Sequence, residues 1–372
     1  MNALAIESGE LCSVHRQLGR IHIGPAAQVE DGLYLSPGWL DVQVNGFAGH
    51  DVNGGDLDVE GFELMTHALH AQGVARYLPT VITASPAHLT RCLMRIVEAS
   101  DTSNVVGRAV AGIHLEGPFI SPEDGARGAH PIEQVRAPDP VLFDELQHAA
   151  DGRIRVVTLA PEGAGAADFI AQLVDRGIIV ALGHTVADAH AIRAAVDAGA
   201  SLATHLGNGA PARLPRHPNM IWEQLAEDRL YASAIFDGHH LPKSVMKVFA
   251  RVKGSERLLL TSDAVALAGQ PPGVYDGQVG GKVELHPSGR LTVFASEYLA
   301  GSASSLSDAV RTAVTQVGLS PEQALTMVGR TPRQLLKRDD PDDWTLARIS
   351  NGDVEVLAVA VDGELVVDRL DG

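Results

Sequence analysis

The chain has 372 residues, a formal net charge of −17, and 45% hydrophobic against 20% charged residues. That length suits one large domain with a small appendage, or two ordinary domains, with the composition of a soluble globular protein. The acidic balance excludes an electrostatic nucleic-acid binder, whose affinity rests on basic patches facing phosphates. No apolar run approaches the roughly 18 residues of a membrane span.

Residues 1–36 are rich in Val, Leu and Ile, broken by turns. Met1 to Gln17 carries Glu7 and Glu10 and has no basic-then-apolar signal pattern. Two cysteines, Cys12 and Cys92, do not make a disulfide scaffold. A cytoplasmic location is therefore expected. From residue 37 onward, short apolar runs alternate with amphipathic ones. Strands are predicted at Leu40–Val44, Tyr77–Ile82, Ala109–Leu115, Ile154–Leu159, Ile178–Leu182, Ser201–Thr204, Tyr231–Phe236 and Arg257–Thr261. Between them, Ser85 and Pro86 open a helix running to about Ala99. Helices over Ala166–Arg176, Ala187–Ala198 and Pro242–Lys253 each end at a glycine, the usual helix-stop residue. Pro271–Ala300, with its Pro-Gly, Asp-Gly and Gly-Gly turns, reads as a β excursion. Val354–Val361 and Glu364–Val367 read as a hairpin turning at Asp362–Gly363.

Strands alternating with helices indicate parallel βαβ units. An open doubly wound sheet gathers its polar site at one switch point. A barrel spreads it over the carboxyl ends of many strands. Polar residues here follow strands all around the set, so the fold class is α/β: a (β/α)8 TIM barrel over 37–337. A small β-sandwich domain is expected from both termini, 1–36 and 338–372.

Gln43 and Asn45 follow or end the first strand, and Glu116 follows the third. His184 follows the fifth, His205 and Asn208 the sixth, Asp237, His239 and His240 the seventh, and Asp263 the eighth. A single histidine at such a place is more often a structural hydrogen-bonder than a ligand. Glu116 alone reads equally well as a turn cap, and Asp263 as a helix N-cap. Together, Glu116, His184 and His205 have the carboxylate-and-two-histidine composition of a catalytic zinc site with one position open for water. Asp263 is then the candidate general base and acid.

The segments Pro37-Gly-Trp-Leu-Asp-Val-Gln-Val-Asn-Gly46, Gly112-Ile-His-Leu-Glu-Gly-Pro-Phe-Ile120, Leu182-Gly-His-Thr185, Thr204-His-Leu206, Asp237-Gly-His-His240, Thr261-Ser-Asp-Ala264 and Leu299-Ala-Gly-Ser302 carry a family resemblance. In this order they resemble the N-acetylglucosamine-6-phosphate deacetylases, a branch of the amidohydrolase superfamily. The resemblance implies Glu116, His184 and His205 as metal ligands and Asp263 as the catalytic aspartate. It also implies His130 as a histidine touching substrate. Asn208, Gly209, Arg216, His240, Gly301 and Ser302 become substrate-binding residues, Arg216 reaching in from the neighbouring subunit of a homodimer. Gln43 and Asn45 stand where many amidohydrolases carry His-x-His for a second metal. One divalent metal per subunit is thus expected, Zn2+ first, with Fe2+, Co2+ or Mn2+ as alternatives.

The expected reaction is hydrolysis of the acetamide of an amino sugar phosphate. Other N-acyl substrates are the first alternative: N-acetylgalactosamine-6-phosphate, an unphosphorylated N-acetyl sugar or an N-acyl amino acid. A catalytically silent barrel acting as a binding protein is the second. One departure from the family pattern is Gly207-Asn-Gly-Ala210, where Tyr-Asn-Ala-Met is usual. The glycines point to a roomier or more flexible loop. Arg213 lies close to Arg216, and His239 beside His240, so each is a second candidate.

Overall fold

The structure, a computed structural model, describes residues 1–17, 20–28, 30, 32–277 and 281–370. All eight expected barrel strands are present: β1 (Trp39–Val44), β2 (Val74–Ile82), β3 (Ile113–Glu116), β4 (Ile154–Leu159), β5 (Ile179–Leu182), β6 (Leu202–Ala203), β7 (Tyr231–Ala234) and β8 (Leu258–Leu260). They form one sheet in chain order, every neighbour parallel. Between β8 and β1 the closure is slight. A single bridge joins Val44 to Ala264, and the Asn45 and Gly46 N–H groups donate to the Ala264 carbonyl over 2.8 and 3.0 Å.

The start of β3 differs from its expected place. Ala109 ends a short helix, Asn104–Ala109, because the Ser103 side chain accepts from the Val106 N–H and caps that turn. The strand begins only after Gly112, whose φ of 139° an L side chain rarely adopts. The expected Ser85 cap is present, accepting from the His88 N–H ahead of the helix Pro86–Thr102.

Leu40, Val42, Leu78, Val156, Ala181, Leu202 and Leu259 fill the barrel lumen, joined by Leu335 and Leu336 of the last helix. Burying each Leu or Val of this set contributes about 1.5–3 kcal/mol. Next along the strands lies a polar layer. His114 Nδ1 meets the Val42 carbonyl at 3.0 Å, and its Nε2 meets Thr158 Oγ1 at 2.7 Å. Thr158 in turn meets Thr204 Oγ1 at 2.7 Å. Packed lumen layers of this kind put the exposed chemistry at the strand ends.

Both chain ends build a second, seven-stranded sheet, in the order Glu364–Asp368, Asp353–Val361, Trp344–Ser350, Leu33–Pro37, Asn2–Ala5, Leu11–Gln17, Arg20–Pro25. Its hairpin turns at Asp362 (φ 50°) and Gly363 (φ 76°), the two positive values of a type I′ turn. Arg76 of β2 ties this sheet to the barrel, donating to Asp343 and to Asp362 over 2.6 Å each. The β excursion is a three-stranded antiparallel sheet, Gly273–Gly277, Gly281–Leu285 and Leu291–Val293. Residues 278–280 of that excursion lie outside the described residues. Among the described residues no helix is long and apolar enough to cross a membrane.

Candidate active site at the strand ends

Glu116 is the last residue of β3 and is buried. Its Oε1 lies 2.9 Å from His205 Nε2 and 3.3 Å from His184 Nε2, and accepts from Gln43 Nε2 at 2.9 Å. The β1–β2 register shifts between Asp41 and Val44. Such an irregularity re-aims side chains. Val42 therefore packs in the lumen while the next residue, Gln43, still reaches Glu116.

His184 and His205 each stand two residues beyond their strands, β5 and β6. The His184 Nδ1–H donates to the Ala126 carbonyl over 2.9 Å, which turns the ring so that Nε2 faces Glu116. The His205 backbone N–H donates to Ser233 Oγ of β7 over 2.7 Å. Across the site, Asn45 Nδ2 donates to Asp263 Oδ1 over 2.7 Å. The φ values of His184 (49°), His205 (28°) and Asp263 (48°) are all positive. Non-glycine residues held there cost about 1–3 kcal/mol each, and such strain clusters at functional sites. Neither Glu116 nor Asp263 caps a helix: the helix after β8, Leu306–Thr312, is capped by Ser305.

Burial works against charge on this cluster, and at Glu116 and His205 contact outweighs it. The His184 and His205 hydrogen bonds hold Glu116 well below the usual carboxylate range, and Glu116 lifts His205 to about 9. Asp263 is pushed up to about 6 by burial and by the negative charge of Glu116. Burial beside His184 takes His130 down to about 3, so its ring is neutral at pH 7.

The donor set fits a divalent cation. Bonds of about 2.0–2.2 Å put tetrahedral ligand atoms roughly 3.3–3.5 Å apart, the value already found between Glu116 Oε1 and His184 Nε2, 3.3 Å. Glu116 is a buried anion faced by imidazoles and an amide, an arrangement a cation satisfies. His130 belongs to the same cluster: its ligand atom lies within 4.8 Å of those of Glu116 and His184, and its ring meets that of His184 edge-on at 4.3 Å. Its Nδ1 is buried without a hydrogen-bond partner.

The remaining expected residues lie around this centre. His240 Nδ1 meets Asp237 Oδ2 at 2.6 Å, and Asp237 also accepts from the His239 and His240 N–H groups. The charge of His240 acts on Asp263, whereas His239 Nε2 turns to the Ser288 carbonyl, 3.1 Å away. Ser302 is buried, and its carbonyl accepts from the Val265 N–H, which sets Gly301 and Ser302 beside the Asp263 turn. Asn208 Nδ2 donates to the His205 carbonyl over 3.2 Å. Gly209 does not open the loop as expected. At φ 55°, a Cβ there falls 2.8 Å from His184 Nδ1, so the glycine lets the loop lie directly on that ring. Arg213 and Arg216 are both exposed and, among the described residues, make no ion pair.

Asp41 was missed as a functional candidate. Its buried carboxylate joins β1 to the residues just before Asp263. The signal was present in Asp41-Val-Gln43, two polar side chains in an otherwise buried apolar strand, with Asn45 just beyond its end.

No family model matches the chain. It is 35% identical over 311 residues to the N-acetylgalactosamine-6-phosphate deacetylase of Escherichia coli O157:H7, covering 83% of this chain and 80% of that one. It is 33% identical over 310 residues to the N-acetylglucosamine-6-phosphate deacetylase of Bacillus subtilis, covering 83% and 76%. Among solved structures, that of N-acetyl-D-glucosamine-6-phosphate deacetylase from Mycobacterium smegmatis is similar with a TM-score of 0.83 and 28% identity, covering 98% of this chain and 99% of that one. A D-hydantoinase from a Bacillus species, 13% identical with a TM-score of 0.57 and coverage of 99% and 94%, shares the fold alone.

Proposed function

The chain belongs to the N-acetylglucosamine-6-phosphate deacetylase family of amidohydrolases, and on that premise we propose that it hydrolyses the acetamide of N-acetylglucosamine-6-phosphate to glucosamine-6-phosphate and acetate. The observation that carries this is the buried Glu116 carboxylate drawing His184 and His205 together, with Asp263 held opposite by Asn45.

Glu116, His184 and His205 would hold one divalent metal, Zn2+ in our reading. When bound, such an ion polarises an amide carbonyl and lowers the pKa of water from 15.7 toward about 7. Asp263 takes the proton from the attacking water at Oδ2, since Oδ1 already accepts from Asn45. It then delivers that proton to the sugar nitrogen as the carbon–nitrogen bond breaks. Neutral His130 donates to the developing oxyanion. His240, its Nδ1 occupied by Asp237, presents Nε2 to the phosphate. Arg216, exposed and without an ion pair among the described residues, adds a second phosphate contact across a homodimer interface in our reading. Binding the remote phosphate orients the scissile bond. Two buried, unpaired cysteines suit a reducing, cytoplasmic location.

A second substrate reading has its own support, because relatives named for the galacto and gluco epimers are equally similar, at 35% and 33% identity. Parallel kcat/KM measurements on the two N-acetylhexosamine 6-phosphates and on unphosphorylated N-acetylglucosamine test the proposal. It requires the gluco 6-phosphate to lead. A lead for the galacto epimer replaces the substrate and keeps the chemistry, whereas equal turnover of the unphosphorylated sugar removes the roles of Arg216 and His240.

A further inference from the structure

Asp41 sits in β1 with no exposed surface. Its Oδ1 accepts from Thr261 Oγ1 at 2.7 Å, from the Ser262 N–H at 3.2 Å and from the Gln43 N–H at 3.3 Å, and its Oδ2 also lies 3.2 Å from the Ser262 nitrogen. Every one of these partners donates. Burial raises the Asp41 pKa while these donors favour its charged form, and a charged acceptor makes each bond stronger.

The place of these bonds is the weak seam of the barrel. β8 ends at Leu260 and has no ladder to β1; the backbone crosses only once Ala264 is reached. Thr261 and Ser262 span that gap, and Asp263 follows with its strained φ of 48°. The Asp41 carboxylate therefore does for residues 261 and 262 what a strand ladder does elsewhere. The Asn45 and Gly46 N–H groups hold the far side of the same turn through the Ala264 carbonyl. Asp263 is clamped between these two anchorages.

We propose that Asp41 is a positioning residue for Asp263: by gripping Thr261 and Ser262 it fixes the turn that aims the Asp263 carboxylate into the site. The role rests on the deacetylation reading above. Asp41 touches neither substrate nor Glu116 itself, although its partner Gln43 also reaches Glu116, and it works through the backbone of 261–263. An asparagine in its place that keeps Oδ1 turns an NH2 toward the Ser262 N–H, donor against donor, and the turn is released on that side.

The test compares wild type, Asp41→Asn, Thr261→Val and Thr261→Ser, each loaded with Zn2+. Bound zinc is measured by elemental analysis, and kcat and KM on N-acetylglucosamine-6-phosphate. In Asp41→Asn, zinc stays at the wild-type level and kcat falls about 100-fold, the cost of an ångström of misplacement. KM stays within about threefold, since ground-state binding is spared. Thr261→Val lowers kcat roughly tenfold by removing one hydrogen bond, and Thr261→Ser restores it. Wild-type kcat in a zinc-loaded Asp41→Asn protein overturns the proposal. If Asp41→Asn does not fold, the Thr261 pair decides: equal kcat in the Val and Ser variants overturns it. A wild type without turnover removes the deacetylation reading itself, and this proposal with it, a result distinct from a loss confined to the variants.

Discussion

Asn45 Nδ2 donates to Asp263 Oδ1 over 2.7 Å, joining the end of β1 to the turn after β8. This bond commits one carboxylate oxygen of Asp263 to an amide and leaves the other for proton transfer. In Asn45→Asp, two carboxylates meet at that distance and share one proton, which raises the apparent pKa of the pair. The acid limb of kcat should move to higher pH by about one unit or more. A pH–rate profile that coincides with wild type would separate Asn45 from the catalytic aspartate.

Asp263→Asn should bind metal and substrate as wild type does and lose turnover by about 10²–10⁴-fold. In the wild type, activity falls as pH drops through the pKa of the base. Burial and Glu116 bring Asp263 to about 6, and a cation on Glu116 offsets the second of these causes. The acid limb should therefore lie at or below about pH 6. Normal turnover in Asp263→Asn would sink the assignment.

Gly209→Ala puts a methyl group against His184 Nδ1, at a Cβ distance of 2.8 Å and in a backbone conformation that disfavours alanine. Disturbing the surroundings of a ligating histidine typically costs 10–100-fold in metal affinity. Competition with a fluorescent chelator should show a loss of about that size. Unchanged affinity would remove His184 from the ligand set or Gly209 from its support.

Buried His70 should make stability depend on pH. Its Nδ1–H donates to the Val74 carbonyl over 2.8 Å, and burial takes its pKa down to about 4. Unfolded histidine titrates near 6.5, so below that pH the unfolded chain gains a proton that the folded one refuses. The stability is fully present above about pH 6.5 and is lost progressively toward pH 4, by up to on the order of 3 kcal/mol. Thermal melts at pH 7 and pH 5 should show a smaller drop in Tm for His70→Gln than for wild type. Equal drops would assign the pH dependence elsewhere.

Much of this was legible in the residues. The eight strands showed because their apolar runs alternate with helix signals such as the Ser85 cap, and most of them contribute to a common lumen cluster. Glu116, His184, His205 and Asp263 could be grouped because residues at or just past the carboxyl ends of barrel strands converge on one face. The Ala109–Leu115 run misled because apolar content there does not distinguish strand from capped helix. Gly209 misled because a glycine that loosens a loop and one that permits close approach are identical in sequence. Asp41 was hidden for a related reason: its partners, Thr261 and Ser262, are 220 and 221 residues away, and only closure of the barrel brings them together.

The central claim is metal-assisted hydrolysis of an N-acetyl amino sugar phosphate. Acetate release from N-acetylglucosamine-6-phosphate tests it most directly, measured with zinc added, after chelation, and after zinc is restored. The account predicts release that chelation abolishes and zinc restores. Undiminished release from protein shown to be metal-free, or none from protein holding one zinc per subunit, would contradict it.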